Sequence, residues 1–151
     1  MAESEEGRER LNRLAYEARV LQGQGQELQA QMEALRATAM QAREAIESLK
    51  GLEGEAGEGN ARDGFVPVGA GVFAPAEIRE GNVVVEVGAG VLVEKTRSEA
   101  AAILEKRLKD VADAQARMQA GATRLNARMH EIDSEARGLV SGMREGGEGP
   151  G

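Results

Sequence analysis

The sequence predicts an α+β chain: a long antiparallel α-helical coiled-coil hairpin with two β-hairpins between its helices. Three observations carry that prediction. Both ends of the 151-residue chain repeat apolar residues in steps of three and four, a central stretch is rich in β-branched residues, and the tetrapeptide Val-Gly-Ala-Gly occurs twice within that stretch.

The first helix is predicted over residues 1–50. Leu11, Leu14, Ala18, Leu21, Gly25, Leu28, Met32, Leu35, Ala39, Ala42, Ile46 and Leu49 fill every a and d position of a heptad, with Gly25 the one departure. More than five heptads in one register are the pattern of a coiled coil. Glu, Gln and Arg between the rungs form helix well and keep the other faces wet. Gly23 and Gly25 weaken this helix by about 1 kcal/mol each relative to Ala.

Residues 51–64, "GLEGEAGEGNARDG", have no periodicity and read as a Gly/Glu-rich linker. Residues 65–95 then read as four short strands, at Phe65–Val68, Val72–Ile78, Val83–Val87 and Val91–Glu94. Turn residues separate them: Gly69 and Gly71, then Arg79–Asn82, then Gly88 and Gly90. The second helix is predicted over residues 96–145. Thr96-Arg-Ser-Glu99 spells a capping box at its start. Ala101, Leu104, Leu108, Val111, Gln115, Met118, Ala122, Leu125, Met129, Ile132, Ala136, Leu139 and Met143 again step by three and four, with Gln115 the polar rung. Residues 146–151 end the chain in a Gly-rich tail that is expected to be disordered.

Each ladder covers about 40 residues, roughly 60 Å of helix. A seam of this kind needs a partner. The other ladder of the same chain, folded back antiparallel, supplies one of matched length, placing Leu49 near Ala101 and Leu11 near Leu139. A parallel homodimer satisfies the same pattern. The hairpin is preferred because the central segment has to return the chain.

Composition narrows the function. Two Phe, one Tyr and no Trp leave little aromatic bulk for a single dense core. With no Cys and one His, His130, there is no disulfide framework, thiolate nucleophile or multi-histidine metal site. A net charge of -7 argues against sequence-independent nucleic-acid binding. The acidic N-terminus is unlike a signal peptide, and no apolar run approaches the roughly 18–20 residues that span a bilayer. A soluble, cytoplasmic protein without membrane partners or cofactors is expected. His130 and the charge runs read as solvated helix faces.

Gly69-Ala-Gly71-Val-Phe-Ala74 also fits the dinucleotide pattern G-x-G-x-x-G/A. A working fingerprint lies between a strand and a helix whose first amides hold the pyrophosphate. Here Pro75 and further strand formers follow, and no helix begins before Thr96. The glycines instead supply positive φ at hairpin turns. With no catalytic constellation, the function is one of binding. Four short strands cannot enclose a core alone and present open edges, so this segment predicts oligomerisation.

The stretch "VPVGAGVFAPAEI" followed by "VVVEVGAGVLVEKTRSEA" resembles the signature of prefoldin (GimC) α-type subunits of archaea. The matching positions are Val66, Pro67, Gly69, Gly71 and Phe73, then Gly88, Gly90, Val93, Glu94 and Lys95, and the flanking ladders extend the likeness over nearly the whole chain. The resemblance implies a hexamer of two α and four β-type subunits with a β-barrel body. It implies coiled-coil ends that hold unfolded polypeptides and pass them, without ATP, to a group II chaperonin. A related filament-forming paralogue has the same subunit plan, and would act as a structural assembly subunit. Under this reading Leu11, Leu14, Tyr16, Leu139, Val140 and Met143 are the candidate client contacts. Leu11, Leu14, Leu139 and Met143 are equally suited to closing the last seam turns, whereas Tyr16 and Val140 fall off the seam. Phe65, Val66, Val68, Phe73, Val83, Val85, Val87, Val91 and Val93 are the expected barrel or interface residues.

Overall fold

A computed structural model describes residues 2–52 and 61–147. Helix α1 runs over Ala2–Gly51 and α2 over Arg97–Gly147, with β1 (Ala61–Gly69), β2 (Val72–Arg79), β3 (Val83–Gly88) and β4 (Val91–Lys95) between them. Most of the predicted linker lies outside the described residues. Its last four residues, Ala61–Gly64, belong to β1, because they find partners in Ala76–Arg79 across the hairpin. Both helices continue through their internal glycines, Gly23, Gly25, Gly138 and Gly142.

The chain divides into two compact units, residues 38–110 and residues 1–37 with 111–151. In the first, the end of α1 packs antiparallel against the start of α2. Ala42, Ile46 and Leu104 form its buried cluster, with Ala45, Leu49 and Leu108 packed on it. These are a and d rungs apart from Ala45. The most buried side chain among the described residues, Ala100, lies off the predicted ladder and is 1% exposed.

The capping box forms as predicted. The Thr96 amide donates to Glu99 Oε2 at 3.2 Å and the Glu99 amide donates to Thr96 Oγ1 at 3.1 Å. Three arginines then join the elements of this unit. Arg62 of β1 donates to the carbonyl of Gly51 at 2.7 Å, Arg97 donates to those of Leu52 and Arg79, and Arg107 of α2 donates to that of Glu86 in β3 at 2.7 Å. The last carbonyls of α1 have no partner within the helix and sit at the negative end of its dipole, so cationic donors suit them.

The strands form two separate antiparallel pairs, β1 with β2 and β3 with β4. Each closes on a two-residue loop at one copy of the repeated tetrapeptide. Gly69 pairs with Val72 around Ala70–Gly71, and Gly88 with Val91 around Ala89–Gly90. All four loop residues have positive φ, 47° and 78° in the first turn and 51° and 75° in the second. That is the handedness which matches strand twist in a hairpin. Each register shifts just before its loop, between Pro67 and Gly69 and between Glu86 and Gly88. The expected role of the glycines is thereby met. The alanines between them adopt the same region, where a Cβ is unfavourable.

The second unit holds the opposite ends of both helices. Its register is the one the ladders predict: a Cβ at Gly25 would lie 3.7 Å from Leu125, and one at Gly7 would meet Met143. Leu14 and Ile132 are buried here. Gly7 is one rung beyond the predicted ladder, and it too is buried.

Candidate functional site

Two surfaces are candidates for binding, one in each unit. In residues 1–37 and 111–151, the six expected contact residues do not behave alike. Leu14 is buried, and Leu11, Leu139 and Met143 are half-buried on the seam. Tyr16 is 71% exposed and Val140 39%. The two exposed residues occupy different sides. Tyr16 lies on the outer row of α1 beside Val20, one turn on and also exposed. Val140 lies on the flank of the seam, one turn beyond half-buried Ala136.

The two flanks of this seam differ in kind. On one, Arg128 of α2 holds Glu17 of α1 through two hydrogen bonds, 2.7 Å to Oε1 and 2.9 Å to Oε2, and also donates to Glu131 at 3.0 Å. One heptad away on each helix, Arg10 pairs with Glu135. The hydrogen bonds from Arg128 hold the Glu17 carboxyl below the usual carboxylate range, and the carboxylates hold the Arg128 guanidinium above its own. These pairs follow the g-to-g rule of antiparallel coiled coils, and reading the charges as solvated faces missed them. The signal was available: Arg10 and Glu17 are seven residues apart, as are Arg128 and Glu135.

On the other flank no such row of ion pairs joins the helices among the described residues. An open hollow of about 440 Å³ lies there, lined among others by Leu11, Ala15, Ala18, Met129, Ile132 and Ala136. A second, of about 330 Å³, lies further along between Leu28, Met32, Ala122 and Leu125.

In residues 38–110, the hairpins carry the second surface. The β1–β2 register sets Phe65 opposite Pro75 and Pro67 opposite Phe73, so all four share one face. The chain's two phenylalanines are thus side by side and solvent-facing, 71% and 59% exposed. Val66 pairs with Ala74 on the reverse face, with Gly64, Ala76 and half-buried Ile78. Val68 lies in the irregular stretch before the turn and is exposed. In the second hairpin, Val85 pairs with Val93 and Val83 shares their face, whereas Val87 lies in the irregular stretch before the turn and Val91 pairs with Gly88 beyond it. Val83, Val85 and Val93 are half-buried, and Val87 and Val91 are exposed. Exposed Val84 and Leu92 occupy the opposite face beside Glu86 and Glu94. The sequence reading passed over these two because it followed one phase of the alternation.

Among the described residues no group of three or more His, Cys, Asp or Glu could hold a metal ion. No described helix is long and apolar enough to cross a membrane.

Two coiled-coil helices with two exposed apolar β-hairpins between them in the chain define an α+β coiled-coil subunit. The chain belongs to the prefoldin family, whose subunit model matches residues 21–141. Among its relatives is the prefoldin subunit alpha of Pyrococcus horikoshii, 37% identical over 127 residues that cover 83% of this chain and 84% of that one. That of Methanobrevibacter smithii is 29% identical over 138 residues, covering 90% and 91%. Among solved structures, a chain of the filamentous PFD of Methanocaldococcus jannaschii matches with a TM-score of 0.67 at 28% identity, covering 80% of this chain and 99% of the other.

Proposed function

We propose that this chain is the α-type subunit of an ATP-independent holding chaperone, which captures unfolded polypeptides at the helix ends in residues 1–37 and 111–151. The observation that carries the reading is apolar surface left open in a unit whose seam is otherwise satisfied. Val140, Tyr16 and Val20 stand exposed there, and seam residues line an open hollow. Leu11, Leu14, Leu139 and Met143 join the contact when the last turns fray. Methionine suits a contact that must accept many sequences, being unbranched and polarizable.

The exposed hairpin faces serve assembly. Phe65, Val66, Val68, Phe73, Val83, Val85, Val87, Val91 and Val93 meet β-type subunits in a barrel body, two α with four β chains. Held clients pass to a group II chaperonin in the cytoplasm. The relatives named prefoldin subunit alpha support this plan.

The test is aggregation of a chemically denatured client diluted into the chain together with a β-type subunit, without nucleotide. Suppression is expected with the intact chain and loss of suppression with residues 1–16 and 138–151 removed. Equal suppression by both would remove the helix ends from the function. A second reading has one observation in its favour, the likeness to a filament-forming chain. Under it the chain is a structural subunit, assembling into long homo-oligomers that form equally well without the helix ends.

A further inference from the structure

We propose that the open flank of the seam in residues 1–37 and 111–151 is a groove for one kind of client segment, an amphipathic helix flanked by acidic side chains. The proposal rests on the holding reading above and names the segment that the same unit would select.

The argument starts from the asymmetry of the seam. On the flank of Glu17 and Arg128, residues 114, 121, 128 and 135 of α2 and Glu17 of α1 are half-buried, while 10, 24 and 31 of α1 and 142 of α2 are exposed. On the other flank, every residue of the equivalent rows is exposed: 15, 22, 29 and 36 on α1, and 112, 119, 126, 133 and 140 on α2. Among the described residues, ion pairs between the two helices cross the core rungs on the first flank only. Small residues make the valley, Ala15, Ala18 and Ala136 in the first hollow and Gly25 and Ala122 in the second. Larger ones, Leu11, Met129 and Ile132, or Leu28, Met32 and Leu125, supply apolar contact. From Leu11 to Arg36 the two hollows extend over about 35 Å of α1, the length of a helix of roughly 25 residues. A shallow apolar trough between two helices is the setting in which a third helix packs by its own apolar stripe.

Charge then selects among such helices. Arg8, Arg19 and Arg144 lie on the flanking rows and make no ion pair with any described residue. Of the other charges on those rows near the first hollow, Arg137 is paired with Asp133 at 3.0 Å, leaving Glu5 as the unpaired carboxylate. The chain as a whole carries -7, so this flank is a local reversal of sign. Acidic residues beside a client's apolar stripe would meet unpaired guanidinium groups there, and basic ones would be repelled.

The experiment uses the full chain in the assembly it forms with a β-type subunit. Two fluorescent peptides of about 20 residues share Leu and Ile at helical spacing and differ only in Glu or Lys flanks. The Glu peptide should bind at least about fivefold more tightly at low salt, with the difference shrinking at high salt. Arg19→Glu with Arg144→Glu, both exposed positions, should abolish that preference while helix content by circular dichroism stays the same. A photo-crosslinking residue at Ala15 should capture the peptide, and one at Ala127, on the outer row of α2, should not. Equal or tighter binding of the Lys peptide, equal capture at both positions, or capture at Ala15 of a second copy of this chain would overturn the groove. A denatured client distinguishes the two failures. Suppressed aggregation without capture at Ala15 ends the groove alone, and no suppression ends the holding reading with it.

Discussion

The guanidinium of Arg97 donates to the carbonyl oxygen of Leu52 at 2.6 Å, joining the start of α2 to the residue that follows α1, 45 positions earlier in the chain. A second nitrogen donates to the carbonyl of Arg79 at the end of β2, at 3.1 Å. One side chain thus fastens three elements. A cation at the first residue of α2 is poorly placed for that helix's own dipole, and the carbonyls of the other elements compensate it. Its buried Nε has no hydrogen-bond partner among the described residues.

Arg97→Ala should therefore lower stability by about 1.5–3 kcal/mol, the usual scale for hydrogen bonds to a charged group. Arg97→Lys should recover little of it, since an ammonium cannot reproduce the planar fork. Denaturant melts measure the loss, and hydrogen exchange should place it in the last turn of α1 and the end of β2. Unchanged protection at both would contradict the fastening role.

The turns offer a gain. Ala70 and Ala89 sit at φ 47° and 51°, a region that costs an L-residue roughly 1–2 kcal/mol. Asn-Gly is the favoured pair for such a loop. Ala70→Asn and Ala89→Asn should each stabilise the chain by about 1 kcal/mol, read as a higher denaturant midpoint at constant slope. A lower midpoint would mean that these alanines make contacts which outweigh their backbone.

Two seam glycines should respond differently to the same change. At Gly25 a methyl would rest 3.7 Å from Leu125, an ordinary contact, so Gly25→Ala should gain about 1 kcal/mol of helix propensity. At Gly7 it would come within 2.5 Å of the Met143 methyl, so that side chain has to move first. Gly7→Ala should gain less or nothing. Melting temperatures of the two variants, taken side by side, decide it.

Acid should loosen the unit that holds Glu17. Its carboxyl is held low by the Arg128 hydrogen bonds, so as pH falls the unfolded chain takes up a proton before the folded one does. The contribution is whole above the ordinary Glu range, near 4.3, and is lost as pH drops through the lowered value. Glu17→Gln should flatten that part of the stability profile, on the acid side of the ordinary Glu range. An identical profile in the variant would show that other carboxylates carry it.

Legibility differed by the kind of interaction. Every rung read from the heptads is half-buried or buried, because seam burial depends only on a period the sequence displays. The hairpins were equally legible, their turns being written in glycine. Gly7 escaped because a residue without a side chain adds nothing to an apolar pattern, though it lets Met143 close over it. The contacts of Arg62, Arg97 and Arg107 could not be read, since each ends on a backbone carbonyl brought near by the return of the chain. Of the candidate site, the exposure of Tyr16 and Val140 followed from their place off the seam. The closure by Arg10 and Arg128 was legible from their seven-residue spacing and the predicted register, and was missed because the charges were read as solvated faces.

The separation of the four strands into two pairs has a consequence for mass action. Each pair is only two strands wide, so every strand keeps one edge unpaired by any other described strand. Isolated hairpins of this width are marginal in water, while the helices satisfy their backbone internally. Whatever completes those edges adds to the stability of the strands by an amount that grows with its concentration. Dilution should therefore melt the two regions at separate temperatures, the strands first, and concentration should bring the two transitions together.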